Sequence, residues 1–310
     1  MPPPFGTGAT GRLARDLPDC ELVPRKAACG APEWSHLVES QDRILASATP
    51  SVSVADRFLR HLDLERAEPT LDFLHRIIRQ HQLCVPFETL TKIVDYEPGL
   101  RRGDFLPSME EYVERIIERG AGGLCWTLAR GLKFLLDDLG FDAALMYMDP
   151  GHCCVRVELP EGPFYADVGY SAPIFQAYPL FESFSLDTPR EKFEYEVRAD
   201  GIFVTRNPGP AKRLDPAPRT LESLKPIIDG ANDWNAERSF LHILAFSGYM
   251  DGVYTSLNNG TLRSYRPGGV EVTTVEPGDV PAVIREVFGT DPGLYLEAER
   301  IHREYMAARG

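Results

Sequence analysis

The hydrophobic period of this chain changes once, at Gly140, and that change limits what the chain can fold into. Before it, apolar residues return every three or four positions. Val54, Phe58, Leu59 and Leu62 follow a capping Ser53, and Leu71, Leu74 and Ile78 follow Thr70. Tyr112, Val113, Ile116 and Ile117 follow Ser108; Leu128, Leu132, Leu135, Leu136 and Leu139 follow Cys125 until Gly140 stops the run. After it, residues 141–148, 152–159, 164–168, 193–199 and 202–206 alternate with period two. Pro160-Glu161-Gly162 and Asp200-Gly201 supply the turns between them. The remainder is mixed: strands are expected over 239–246, 254–258 and 262–265, with an Asn259-Gly260 hairpin turn, then helices over 280–288 and 294–308. The expected organisation is α+β: an irregular extension over 1–50, helices over 51–140, an antiparallel sheet or barrel over 141–215 and a mixed segment over 216–310.

Charge and composition remove several functions. Of 310 residues, 46 are acidic and 33 basic, a formal net charge of −13, and no basic stripe offsets it, so nucleic acid is not an expected partner. No apolar run approaches the ~18 residues of a membrane span, and residues 1–11 lack the pattern of a secretory leader, so a cytoplasmic protein is expected. Six irregularly spaced cysteines do not look like a disulfide framework, so none is expected. Gly6, Gly8 and Gly11 spell G-x-G-x-x-G, but only five residues precede them, three of them proline. No strand can feed that turn, which argues against a dinucleotide site. His152-Cys153-Cys154 is a weak metal candidate, since adjacent strand residues point to opposite faces and no second His/Cys cluster complements them; no metal is expected.

Three residues carry the chemistry. Cys125 follows Gly122-Gly123-Leu124 at the start of an apolar helix. The positive end of the helix favours a thiolate, and the glycines let backbone N–H groups approach a ligand. His152 opens one strand and Asp167 closes the next, across the Pro160–Gly162 turn. If Asp167 lies opposite Cys154, His152 stands two positions away on the same face. Nucleophile, base and orienting carboxylate then come together, although each alone also fits a structural role. His75 and His81, on an apolar helix, fit core or surface roles.

These stretches resemble the arylamine N-acetyltransferases. Val85-Pro86-Phe87-Glu88-Thr89-Leu90 is similar to that family's P-F-E-N-L segment. Gly122-Gly123-Leu124-Cys125 is similar to its R-G-G-x-C loop, and Asp167-Val168-Gly169-Tyr170 to its D-V-G-F-G turn. The resemblance spans roughly residues 50–290, with Cys, His and Asp in the family's order. It implies a three-part fold of helical bundle, antiparallel β-barrel and α/β lid around a cysteine-protease-like core. It also implies a ping-pong reaction in which Cys125 takes an acyl group from acetyl-CoA or a similar thioester and passes it to an amine. CoA would be a co-substrate, with no bound cofactor. Phe87, Gly169 and Tyr170 are the substrate contacts implied.

The chain departs from the family pattern at Ala121, where the Arg would stand, and at Thr89, Thr127, Ala129 and Ser171. The segment between Cys125 and His152 is also shorter than in typical members. The departures lean modestly toward a second reading, an amide synthase that takes its acyl chain from a carrier protein. A thioesterase or papain-like hydrolase shares the same trio with water as acceptor, and a binding protein on an inactive scaffold is a further class. Cationic side chains at the cleft mouth would favour a CoA donor, and a patch fitted to an acidic partner would favour a carrier protein.

Overall fold

The computed structural model describes residues 52–237 and 239–309; the expected extension over 1–50 and its glycine pattern lie outside the described residues. Three helices of the first part begin where a side chain takes unpaired first-turn N–H groups. Ser53 accepts from Asp56 N–H (3.0 Å) to start α1 (Val54–His61), and Thr70 accepts from Phe73 N–H (3.3 Å) to start α2 (Leu71–Cys84). A two-residue strand β1 (Phe87–Glu88) and the short helices α3 (Leu90–Val94) and α4 (Tyr96–Arg102) follow. Ser108 and Glu111 form a reciprocal capping box for α5 (Met109–Arg119). The next helix, α6 (Cys125–Asp138), has no side-chain cap, and its first residue is the cysteine.

Phe58, Leu74, Ile78, Tyr112, Ile116, Leu132 and Leu136 pack together as one core, each at most 1% exposed. Every such side chain contributes about 1.5–3 kcal/mol relative to exposure. The core continues into one face of the strands β2 (Asp142–Asp149), β3 (His152–Leu159) and β4 (Gly162–Ala166), through Leu145, Cys153, Val155 and Val157. With β5 (Tyr178–Pro179), β6 (Phe184–Asp187), β7 (Lys192–Arg198), β8 (Gly201–Asn207) and β9 (Ala211–Arg219), these strands form an antiparallel sheet in the order β5-β4-β3-β2-β9-β8-β7-β6. Its two ends meet where the Tyr178 and Phe184 rings stack at 3.8 Å, so the sheet is a nearly closed barrel. The interior holds Met146, Met148, Cys154, Tyr165, Phe193, Tyr195, Val204 and Leu214. Cys153 faces the helices and Cys154 the barrel interior, as the pleat requires.

After α7 (Leu221–Gly230), a second antiparallel sheet orders β1 with β10 (Ala245–Met250), β11 (Val253–Asn258), β12 (Thr261–Arg266) and β13 (Gly269–Thr274). The helices α8 (Val280–Phe288) and α9 (Pro292–Arg309) cover one face, where Phe246, Leu257, Ile284, Phe288 and Leu294 form a second core with Leu90, Ile93 and Ala121 from the first part. The strand expected over 239–246 is corrected. Residues 240–242 form a 3₁₀ turn that Ser239 caps through Leu241 N–H, and the strand starts only at Ala245. Thr89 explains the delay, because its hydroxyl donates to Ile243 O and accepts from Ala245 N–H, so the chain is held to the first part before it can pair as strand. Among the described residues, no helix is long and apolar enough to cross a membrane.

Candidate active site

The loop before α6 is set by contacts that admit only glycine. A Cβ on Gly122 would lie 1.8 Å from the carbonyl oxygen of Pro86. Glu88, buried beneath the loop, accepts from Gly122 N–H (3.2 Å) and from the Thr91 hydroxyl (2.7 Å), and its own N–H donates to Gly123 O (3.1 Å). Burial raises the Glu88 carboxyl above its ordinary value although those donors pull the other way. Glu88 ties the V-P-F-E-T-L segment to the glycine loop and so fixes where α6 begins. Phe87 belongs to the same tie: it pairs with Gly123 and with Ser247, and its half-buried ring meets Phe240 edge-on at 6.1 Å.

Cys125 opens α6 as a free thiol, 7% exposed, with its sulfur 3.7 Å from Gly151 O. His152 follows that glycine at the start of β3. Its Nε2 lies 2.7 Å from Asp167 Oδ2, both side chains being buried. The β3–β4 register pairs Val155 with Ala166, so one further step sets Asp167 against Cys154, the alignment expected from the turn. Burial pushes the His152 imidazole down, but the Asp167 carboxylate and the Cys125 side chain outweigh it and lift the group to about 9. With Nε2 engaged by Asp167, Nδ1 is the ring nitrogen left for the sulfur.

Asp167 is saturated with donors. Tyr165 donates its hydroxyl to Oδ2 (2.6 Å) and Gly169 its N–H to Oδ1 (2.9 Å), while Gln82 Nε2 reaches the backbone oxygen at 3.3 Å. The sequence reading missed Tyr165 and Gln82. Tyr165 carried a readable sign: it lies two residues before Asp167 and so shares its face. Gln82, 85 residues away, carried none.

The residues after Asp167 close the site. A Cβ on Gly169 would sit 2.7 Å from Cys125 Cα, so this glycine lets the turn pass against the helix start. Tyr170 stacks on His152 with ring centroids 4.2 Å apart. Ser171 has a left-handed φ of 51°, which explains why a glycine suits the position, and its hydroxyl bonds to Ser247 (2.9 Å) and Tyr254 (2.7 Å) of the second sheet. Ala121 and Ala129 are buried in the two cores, and Thr127 packs beneath Gly123. Among the described residues, no group of three His, Cys, Asp or Glu side chains could hold a metal ion.

An arylamine N-acetyltransferase of Mycolicibacterium smegmatis is 27% identical over 129 residues, covering 36% of this chain and 45% of that protein. The match therefore spans less than half the length of that relative. The arylamine N-acetyltransferase of Mycobacterium marinum is similar in structure, with a TM-score of 0.65 and 20% identity over 80% of this chain and 98% of the other. Its complex with CoA aligns at 0.64 and 20% identity, over 79% and 97% of the two chains. The Salmonella typhimurium enzyme aligns at 0.65 and 18% identity, over 81% and 98%. At these identities the structures establish a shared fold, with the helical bundle, barrel and second sheet as three parts. A family model described as N-acetyltransferase matches residues 70–293, a span running from the cap of α2 through both sheets to the start of α9. It contains Glu88, the glycine loop, Cys125, His152 and Asp167, and on that match the chain is a member of the N-acetyltransferase family.

Proposed function

We propose that this protein moves an acyl group, acetyl in the simplest case, from a CoA thioester to an amine through an acyl-enzyme on Cys125. One observation carries the reading: a cysteine at an uncapped helix N-terminus beside a buried imidazole that is 2.7 Å from a carboxylate. The Mycobacterium marinum relative is a CoA-binding member of the same fold, which supports CoA as donor.

In the first half-reaction Cys125, a thiolate paired with the His152 imidazolium that Asp167 holds, attacks the thioester carbonyl through its sulfur. The first-turn N–H groups of α6, without a side-chain cap, face the charge that develops on the carbonyl oxygen. The intermediate collapses with loss of the CoA thiolate, which takes the proton from His152. In the second half-reaction an amine attacks the acyl-sulfur carbonyl and gives its proton to His152, and Cys125 leaves as the thiolate. Phe87 and Tyr170 would flank the acceptor, with Gly169 keeping the floor of the site open.

Intact-mass measurement after mixing with acetyl-CoA, without amine, tests this. The expected result is one acetyl adduct on the wild type and none on Cys125→Ala. No adduct on a thiol that alkylating reagents still modify would reject CoA as donor and move the work to acyl chains on a carrier protein. Thioester turnover without any amine would indicate a hydrolase. Asp167→Asn is expected to lower turnover on the order of 10²- to 10⁴-fold by mispresenting His152.

A further inference from the structure

The second sheet has two faces, and only one belongs to the active site. Ser247 on β10 and Tyr254 on β11 share the face that bonds Ser171. Phe246 and Leu257 are register partners on the other face, which α8 and α9 cover. The cover is incomplete. Beside the Asn259-Gly260 turn a cleft of about 260 Å³ remains, walled by Leu244, Phe246, Leu257, Val275 and Ile284. Packed interiors leave few voids larger than a water molecule, and an apolar cavity of about 150 Å³ already holds a benzene ring. The cleft therefore has room for a ring and a short substituent. Two polar side chains border it, Tyr295 and Glu299, one turn apart on α9. The Glu299 carboxylate is half-buried with no cation within ion-pair distance among the described residues. Its neighbour Arg300 is paired with Glu304 at 2.8 Å, and the exposed Arg303 lies beyond that distance. The Tyr295 hydroxyl has no hydrogen-bond partner among the described residues. Burial and then the Glu299 charge raise it to about 12, so it stays a neutral donor.

We infer that this cleft is a second ligand site, separate from Cys125, that takes a compact hydrophobic organic cation. The hydrocarbon part lies between sheet and helices, and the ammonium meets Glu299. Charge and wall chemistry together fix the class. A half-buried carboxylate without a partner gains most from a cation that replaces its lost water, and it repels an anion. The apolar walls give a purely polar cation nothing to bury against. A metal ion is excluded by ligand count, because no group of three His, Cys, Asp or Glu side chains stands close enough together among the described residues. The mixture of apolar lining with a few polar groups at the rim is the usual make-up of a small-molecule site. Because the cleft opens on the face of the sheet opposite Ser171, the inference does not depend on the acyl-transfer reading.

The probe is N,N-dimethylbenzylamine, a tertiary amine that is cationic at pH 7 and carries no N–H to acylate. Calorimetric titration of the full chain, with neither donor nor acceptor present, is expected to show one binding event. Glu299→Gln keeps the shape of the rim and removes its charge, and should weaken that binding about tenfold or more. Leu244→Trp fills the cleft and should abolish it, with circular dichroism confirming the fold of both variants. No binding to the wild type up to about 10 mM overturns the inference, and so does an affinity that either variant leaves unchanged. A second measurement locates the ligand even if Leu244→Trp does not fold. In crystals grown with 4-bromo-N,N-dimethylbenzylamine, the anomalous signal of bromine is expected between the sheet and α8. Bromine found only beside Cys125, or nowhere, overturns the site.

Discussion

Asp167 shows how single residues set this site, because the carboxylate that orients His152 is itself oriented by two donors, the Tyr165 hydroxyl and the Gly169 N–H. Removing the Tyr165 hydroxyl takes one charge-assisted bond from Oδ2 and leaves the ring in its buried place. Such a bond is worth about 1.5–3 kcal/mol, so Tyr165→Phe is expected to lower kcat tenfold or more with little change in KM, measured by steady-state kinetics. Ser171 gives a second prediction. Its left-handed backbone is unfavourable for any side chain, and its hydroxyl offsets that through Ser247 and Tyr254. Ser171→Ala keeps the strain and loses both bonds, whereas Ser171→Gly loses the bonds and relieves the strain. Urea unfolding should place Ala about 1–2 kcal/mol below Gly. Cys125, His152 and Asp167 could be picked out of the sequence because each sits at a landmark: a glycine loop, a strand start and a position fixed by a short turn. Gln82 and Glu88 could not be, since a buried polar residue announces itself only once its partner is known, whereas Tyr165 was marked by its place two residues before Asp167.

Among the elements, one of the two shortest is the most consequential. β1 is two residues long, yet it pairs with β10 on one side and bridges Gly123 on the other, joining the second sheet to the glycine loop before Cys125. Thr89 completes the join with one hydroxyl that both donates to Ile243 O and accepts from Ala245 N–H. Thr89→Val keeps the shape and orphans both backbone groups; the expected loss is about 2 kcal/mol in urea unfolding, with Thr89→Asn recovering part of it. A strand of two residues has no period to detect. β13 is exposed at every residue, so it lacks the apolar alternation that marks a strand. In α7, Pro226 stands inside the helix, and β9 contains Pro216 and Pro218, signals that argue against the elements found. The long helices α2, α5 and α6 and the hairpin β3–β4 were legible for the opposite reason: caps, glycine stops and apolar spacing agree with the tertiary packing.

The whole molecule meets at His152, where the helical part supplies Cys125, the barrel supplies Asp167, and Ser171 beyond it reaches the second sheet. The buried ion pair should therefore appear in global stability as well as in rate. His152 is raised to about 9 in the folded state, against about 6.5 in an unfolded chain. Below pH 6.5 both states hold the proton, and the pair contributes in full. Between 6.5 and 9 only the folded state holds it, so the contribution declines by about 1.4 kcal/mol per pH unit. Above 9 both states are neutral and the contribution is gone, a total on the order of 3 kcal/mol. Lys92 acts with the opposite sign at higher pH: burial lowers it to about 8, so the folded state gains as the pH climbs from there toward the ordinary lysine value. The difference between the wild type and His152→Gln isolates the histidine, since Lys92 titrates in both. Urea midpoints should show the wild type's advantage at pH 6 shrinking steadily to pH 9.5; an advantage constant across that range would mean that His152 is not cationic in the resting protein.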